Sequence, residues 1–182
     1  MMLEDKVLIW RFNHGRAEVL HEIYDKYRTD LLSLATALLS DLAAAEDVVH
    51  DVFASLLKSS GRLKLTGSLK GYLIICVVNA VRNIKRTHRR HPNLDLDQVD
   101  PIATDYDKPD DAAIFDEERH RLNQALAQLP YLEREALVLR VCGQMRLREI
   151  AKQQGVSTNA ALYRYRNAVD KLRSMLNGEV RR

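Results

Sequence analysis

The chain has 182 residues, of which 46% are hydrophobic and 29% are charged, a balance typical of globular proteins with one or two small domains. Its four prolines and seven glycines are few for this length and favour helices, and its net charge of +3 is small. The apolar run from Tyr72 to Val78 is far shorter than the roughly 20 apolar residues of a membrane-spanning helix, which excludes a span there.

The charges are arranged in four blocks of alternating sign. The net charge is −4 over residues 1–60, +8 over 61–91, −8 over 92–120 and +7 over 121–182. Two basic blocks separated by an acidic one indicate two surfaces for a polyanion, with an intervening segment that avoids it.

The N-terminal part predicts two helices with apolar stripes. From Val19 to Leu39, apolar residues recur every three or four positions, as on the buried face of a helix. A second helix follows Ser40 or Asp41, either of which can cap it. We expect its buried face to consist of Leu42, Ala45, Val49, Val52, Phe53 and Leu56.

Residues 69–90, LKGYLIICVVNAVRNIKRTHRR, predict a third helix that is apolar in its first half and basic in its second half. The preceding stretch, SSGRLKLTGSL, has the composition of a loop. Basic residues recur at three- and four-residue steps, so they share one helix face. No acid occurs from Gly61 to His91, which favours contact with DNA phosphates over a merely solvated helix end. The apolar half is expected to pack under the first two helices through Leu69, Leu73, Cys76, Val77 and Ala80.

From His91 to about Ile114 the helical pattern is lost, and this stretch contains three of the four prolines and seven aspartates. We expect an extended acidic linker. Regular structure is predicted to resume near Phe115 with an amphipathic helix that stops at Pro130. A second helix is expected to end at Gly143.

The stretch LREIAKQQGVSTNAALYRYRNAVDKL predicts a helix-turn-helix. Gly155 can adopt the left-handed conformation that ends the first helix, and Ser157 is a good N-cap for the second. The inward stripe of the second helix is expected to be Ala161, Tyr165, Ala168 and Leu172. In this motif the second helix enters the major groove, and the alternative is a helical hairpin with a solvated basic face.

Taken in order, these motifs make residues 5–176 resemble a bacterial sigma factor of the extracytoplasmic-function group, the minimal two-domain type of the sigma-70 family. AEDVVHDVFASLL is similar to the segment that binds core RNA polymerase, and residues 69–90 are similar to the helix that helps to melt promoter DNA. LPYLEREALVLRV and the helix-turn-helix are similar to the fourth region, which reads the minus-thirty-five element. The chain departs from the family pattern at Tyr72, Ile75, Val78, Arg146, Ala160 and Asn167.

The resemblance implies an all-α fold of two small helical domains joined by a flexible acidic linker. Residues 1–91 would form a region 2-like domain, residues 92–114 the linker, and residues 115–182 a region 4-like domain with the helix-turn-helix. The linker resembles the connector that runs along basic channels of the polymerase, although a flexible spacer is the alternative.

The resemblance also implies three groups of binding residues. Contacts to the minus-thirty-five element are expected from Ser157, Thr158, Asn159, Leu162, Tyr163, Arg164 and Arg166. Contacts to the minus-ten element and its melting are expected from Arg62, Lys64, Lys70, Asn79, Arg82, Lys85, Arg86 and Arg89. Contacts to core polymerase are expected from Asp47, His50, Asp51, Phe53 and Leu57. By the same resemblance, the loop SSGRLKLTGS captures a base that flips out of the non-template strand.

The function expected from this resemblance is transcription initiation in the cytoplasm, with core RNA polymerase, promoter DNA and an anti-sigma factor as partners and with no cofactor. Two alternatives remain open: a sigma-like decoy that only binds an anti-sigma factor, and a stand-alone helix-turn-helix regulator. An enzyme is disfavoured because no phosphate-binding glycine loop, catalytic triad or HExxH motif is found. A metal site is disfavoured because Glu46 and His50 have no third ligand.

Overall fold

A computed structural model describes residues 3–16, 18–90 and 111–179 of the protein. These ranges contain eight helices and no strand, which confirms the expected all-α class. The helices are α1 (Leu3–Asn13), α2 (Val19–Leu39), α3 (Leu42–Lys58), α4 (Leu69–Arg90), α5 (Asp111–Gln128), α6 (Tyr131–Val141), α7 (Leu147–Gln154) and α8 (Thr158–Glu179).

The chain divides into two compact units. The first contains α1, most of α2, α3 and α4, and the second contains α5 to α8 together with the short segment Ala37–Asp41. Most of the predicted linker, residues 91–110, lies outside the described residues. Helix α5 begins at Asp111, four residues before the expected start near Phe115.

The core of the first unit is built from the apolar stripes of its helices. Val19, Ile23 and Leu31 of α2 are at most 1% exposed, as the periodicity predicts. Each such side chain contributes roughly 1.5–3 kcal/mol to the free energy of unfolding when it is buried. On α3, Leu42 is only partly buried, whereas Val48 joins the predicted core residues.

The buried stripe of α4 differs in part from the expected one. Leu69, Leu73 and Val77 are buried as predicted, but Cys76 and Ala80 are partly exposed. Their expected places in the core are taken by Ile74, Val78 and Val81, which are at most 2% exposed. The apolar character of Val78, a departure from the family pattern, is therefore explained by its burial.

Polar contacts fasten α1 to α2. The Tyr27 hydroxyl donates to Oδ1 of Asp5 over 2.6 Å, and Lys26 Nζ lies 2.9 Å from the same oxygen. Burial alone would raise the pKa of Asp5, but the hydrogen bonds from Tyr27 and Lys26 outweigh it and the pKa is lowered. The ionised carboxylate is thus the stable form, and it holds the two helices together.

The second unit is organised around Leu126, Leu129, Leu137 and Ala168, with Tyr165 and Leu172 packed against them. Ala161 and Ala168 are fully buried, so the predicted inward stripe of α8 is confirmed. Their small side chains allow α8 to approach the neighbouring helices closely.

Arg134 of α6 is buried, and its guanidinium lies at the C-terminal end of α5. Nη2 of Arg134 donates to the carbonyl oxygens of Ala127 over 2.8 Å and Leu129 over 3.3 Å. The last carbonyls of a helix have no partner within the helix, so this arginine satisfies acceptors that would otherwise be unpaired. Burial lowers the pKa of Arg134, which reflects the desolvation of its charge.

Both ends of the turn between α7 and α8 have the predicted geometry. Gly155 ends α7 in the left-handed conformation, with φ 66° and ψ 35°. Ser157 caps α8, because its Oγ accepts a hydrogen bond from the backbone N–H of Ala160 over 3.2 Å. At the start of α7, the Glu149 carboxylate accepts from the backbone N–H of Arg146 over 2.7 Å, which is the half of a capping box that does not need an acceptor on the side chain of residue 146.

In the described ranges, no helix has both the length and the apolar character needed to cross a membrane. The same residues contain no group of three or more histidine, cysteine, aspartate or glutamate side chains suited to hold a metal ion.

The turn generates a stability prediction. We expect Gly155→Ala to lower the free energy of unfolding by about 1 kcal/mol, because a Cβ atom disfavours positive φ even where space is open. Gly155→Asn should have a smaller effect, since asparagine tolerates this conformation. Urea unfolding followed by far-ultraviolet circular dichroism measures both, and equal stability of the alanine variant and the wild type would contradict the prediction.

Candidate nucleic-acid interface

The first turns of α8 present a polar face to solvent. Ser157, Thr158, Asn159, Tyr163 and Arg166 are exposed, with Tyr163 67% exposed. The buried alanines of the opposite face fix this orientation. Hydroxyl, amide, phenol and guanidinium groups can all bond to base edges or phosphates, so the arrangement is suited to the major groove of DNA.

Two of the predicted contacts on α8, Leu162 and Arg164, are half-buried. Nη1 of Arg164 donates to Oε1 of Gln154 over 2.8 Å. Nε2 of Gln154 in turn donates to the carbonyl of Leu132 over 2.9 Å and to Oε1 of Glu135 over 3.0 Å. Arg164 therefore links α8 to the last residue of α7 and, through it, to α6.

Glu135 is fully buried at the base of this chain of hydrogen bonds. A buried carboxylate is strongly disfavoured unless polar groups pair with it, and Gln154 is one of its partners. Its burial makes the contact between α6 and α7 polar and directional. Neither Gln154 nor Glu135 was among the predicted site residues, because no local pattern distinguishes them from solvated polar residues.

The basic half of α4 forms a second candidate surface. Arg86 and Asn79 are exposed, while Arg82 and Lys85 are half-buried. Nη2 of Arg86 donates to Oδ1 of Asn83 over 3.2 Å, which leaves other donors of the guanidinium for a ligand. The side chain of Arg89 lies outside the described residues.

The loop between α3 and α4, residues 59–68, adds further basic groups. Arg62 and Lys64 are exposed. Lys70, at the start of α4, is half-buried, and its Nζ is paired with Oδ2 of Asp30 at 2.6 Å. An acid of α2 therefore partly compensates the charge of Lys70, which was expected to contact DNA.

A contact from α1 holds this loop. Nδ2 of Asn13 donates to the carbonyl of Leu65 over 3.0 Å, and the N–H of Leu65 donates to Oδ1 of Asn13 over 2.8 Å. Asn13 was not among the predicted site residues, since it lies 52 positions from Leu65 and no local signal relates the two.

The outer face of α3 contains four of the five residues expected to contact polymerase. Asp47, His50, Asp51 and Leu57 are exposed, and Leu57 is 52% exposed. Phe53 is not part of this face. It is 6% exposed and packs edge-on against Tyr24, with ring centroids 4.9 Å apart, so the expectation that it faces a partner is corrected.

Two family descriptions match the chain in separate regions. Residues 23–91 match Sigma-70 region 2, and residues 119–172 match Sigma-70, region 4. The first match includes α3, the loop and α4, and the second includes α6, α7 and most of α8. Each candidate surface described above therefore lies in a matched region.

Full-length relatives extend this similarity over nearly the whole chain. The RNA polymerase sigma factor CarQ of Myxococcus xanthus is 28% identical over 166 residues, which cover 91% of this chain and 94% of CarQ. The RNA polymerase sigma-H factor of Pseudomonas aeruginosa is 26% identical over 179 residues, 92% of this chain and 93% of that protein. The ECF RNA polymerase sigma factor ShbA of Streptomyces griseus is 24% identical over 177 residues, which cover 92% of this chain and 93% of ShbA.

Two solved structures share the fold. One is CnrH in complex with the cytosolic domain of CnrY, with a TM-score of 0.67, 19% identity and coverage of 96% of this chain and 97% of that chain. The other is the sigma factor RpoE in complex with the anti-sigma factor NepR from Bartonella quintana, with a TM-score of 0.65, 19% identity and coverage of 86% and 97%. With both regions matched in order and full-length relatives in three bacteria, the chain belongs to the sigma-70 family of transcription initiation factors, in its extracytoplasmic-function group.

Proposed function

We propose that this sigma factor acts in the cytoplasm by three surfaces: the outer face of α3 binds core RNA polymerase, the first turns of α8 read the minus-thirty-five element, and the loop with α4 binds and melts the minus-ten element. The protein performs no catalysis of its own. The observation that supports this most directly is the capped N-terminus of α8, which exposes Thr158, Asn159 and Arg166 within the match to region 4.

We assign recognition of the minus-thirty-five element to the side chains on the exposed face of the first turns of α8. Asn159 can bond the edge of adenine in two places, and Arg166 can clamp a phosphate or the edge of guanine. Tyr163 offers an apolar ring that can contact the methyl group of thymine. Arg164 is assigned mainly to the orientation of α8, because Gln154 occupies one of its donors.

Melting of the downstream element is assigned to the loop and the basic face of α4. Unstacking one base costs a few kcal/mol, which binding of the exposed single strand can offset through phosphate contacts and a pocket for the base. Arg82, Lys85 and Arg86 would hold phosphates of the adjoining duplex, while Arg62 and Lys64 would contact the separated strand. Because residues 61–91 contain no acid, no carboxylate of this segment would repel the phosphates of bound DNA.

Polymerase binding is assigned to α3 because its exposed face combines acids with an apolar residue. Leu57 is half exposed beside a face that contains Asp47, His50 and Asp51. Apolar side chains that are ringed by polar groups are typical of protein interfaces.

We also propose an anti-sigma factor as a regulatory partner. CnrH and RpoE, which share the fold, were solved in complexes with the cytosolic domain of CnrY and with the anti-sigma factor NepR. The decoy alternative predicts the same partner without transcription. The exposed basic groups of the loop and α4 favour the initiation role, because a decoy needs no surface for melting DNA.

Run-off transcription on genomic fragments tests the function. Core polymerase together with the wild-type protein should give promoter-dependent transcripts, whereas tight binding of an anti-sigma factor without any transcript would establish the decoy instead.

Leu57→Ser should require about tenfold more protein for the same yield of transcript, because the interface with polymerase loses an apolar anchor. Val7→Ser, which alters a 50% exposed residue of α1, is the matched control and should behave as wild type.

The basic face of α4 generates a second prediction. We expect Arg82→Ala combined with Arg86→Ala to reduce open-complex formation on the order of tenfold and to lower the salt dependence of DNA binding by about two phosphate equivalents. Permanganate reactivity of unpaired thymines and binding at several salt concentrations measure these effects. Lys6→Ala combined with Arg28→Ala removes the same charge from α1 and α2 and should have little effect. Unchanged thymine reactivity in the α4 double variant would contradict the assignment.

The exposed face of α8 generates a third prediction. Arg166→Ala should weaken upstream binding by about 1–3 kcal/mol, and Asn159→Ala should relax the base preference at one position. Arg173→Ala is the control, since this exposed residue lies about 10 Å further along the same helix and away from the turns that enter the groove. Footprints that stay the same on every promoter for both α8 variants would show that another element reads this DNA.

A further inference from the structure

We infer that Asn13 is a positioning residue for base capture: its side chain clamps the backbone of Leu65 and so holds the α3–α4 loop in the shape that receives an unstacked base. This inference rests on the proposed melting function of the loop. It assigns a role in promoter melting to a residue of α1, outside both regions that match the family descriptions.

The Asn13 side chain forms a pair of hydrogen bonds with the backbone of Leu65, as a neighbouring β-strand would. The Asn13 amide gives one hydrogen bond to the carbonyl of Leu65 and takes another from its N–H, at 3.0 and 2.8 Å. Both backbone groups of one loop residue are thus satisfied by one planar group. Asparagine is suited to this, since its side chain has both a donor and an acceptor.

Burial on both sides fixes the two partners of the contact. Leu65 is 5% exposed, so its side chain anchors the middle of the loop in the core. Phe12, the neighbour of Asn13 at the end of α1, is fully buried and fixes the position of that helix end. On either side of Leu65, Lys64 and Thr66 are exposed. The clamp therefore holds the backbone while adjacent side chains remain available to DNA.

The rest of the loop is shaped by a few local features. Gly61 and Gly67 have φ values of 76° and 86°, so the chain turns on each side of Leu65. A Cβ atom at Gly61 would lie 4.0 Å from the Cα of Gly15, which places the start of the loop against the end of α1. At the far end, Oγ of Ser68 accepts from the N–H of Gly71 and caps α4. Between Gly61 and Ser68, the hydrogen bonds from Asn13 attach the middle of the loop to α1.

A base-selection experiment tests the inference. The probe is a pool of single-stranded oligodeoxynucleotides of about 12 residues, with all four bases at each position, bound to polymerase with this sigma factor and then sequenced. The wild type should enrich one base strongly at the captured position. Asn13→Ala should lower the enrichment at that position by about fivefold and leave other positions unchanged, because two hydrogen bonds to the loop are lost.

Tyr27→Phe is the matched control, because it removes a hydrogen bond that fastens α1 but does not touch the loop. It should keep the wild-type enrichment at every position. Hydrogen exchange should be faster for the peptide that covers residues 59–68 in Asn13→Ala than in Tyr27→Phe. If Asn13→Ala fails to fold, Asn13→Gln keeps the amide but displaces it by one methylene group, and the same loss is expected.

The outcomes separate this inference from the proposed function. If the wild-type protein enriches no base at any position, base capture by this loop is wrong. If the wild type selects a base and Asn13→Ala selects it equally well, capture stands and the positioning role is overturned. A loss spread evenly over all positions in Asn13→Ala would also overturn it, because that result indicates a general loss of stability.

Discussion

Burial of one apolar stripe per helix determines which polar side chains of this protein are exposed to a partner. On α4, Leu69, Leu73 and Val77 are at most 1% exposed, and on α8 Ala161 and Ala168 are fully buried. Turning one large apolar side chain out to water costs roughly 1.5–3 kcal/mol, more than a typical hydrogen bond at the surface contributes. The core therefore fixes the rotation of each helix about its axis, and the exposed face follows. Substitutions on the exposed basic faces can therefore change the proposed DNA contacts without changing the fold.

Apolar packing favours a few crossing angles between helices, with a scatter of about 15–20° around each. In the second unit, a polar contact supplies direction. Gln154 connects Glu135 of α6 to Arg164 of α8 through hydrogen bonds of 3.0 and 2.8 Å. Because Glu135 is fully buried, misplacing Gln154 would remove one of its partners and incur a desolvation penalty. Helix α8 is thus oriented by a contact whose loss is costly. Arg164, which the resemblance assigns to DNA, takes part in this contact.

The parts of the structure that sequence patterns predicted are the local ones. The inward stripe of α8, the left-handed Gly155 and the Ser157 cap depend on residues a few positions apart, and all three are present. Phe53 shows the limit of the resemblance rather than of periodicity: its place in the apolar stripe of α3 predicted the burial that is observed against Tyr24, whereas the resemblance assigned it to a polymerase contact. The clamp from Asn13 could not be predicted, because it joins groups that only tertiary packing brings together.

The tether from α1 also bears on how DNA can be melted without an energy source. Ordering a flexible loop costs about 1–2 kcal/mol per residue, and unstacking a base costs a few kcal/mol more. If the loop became ordered only on binding DNA, binding would have to offset both the cost of ordering and the cost of unstacking. A loop that is already ordered in the folded protein leaves only the cost of unstacking. Leu65 is held by its buried side chain and by Asn13, so the middle of the loop does not depend on the exposed side chains of Lys64 and Thr66 for its shape. The backbone that we propose to receive the base can therefore keep one shape whichever DNA the exposed side chains of Arg62, Lys64 and Thr66 contact.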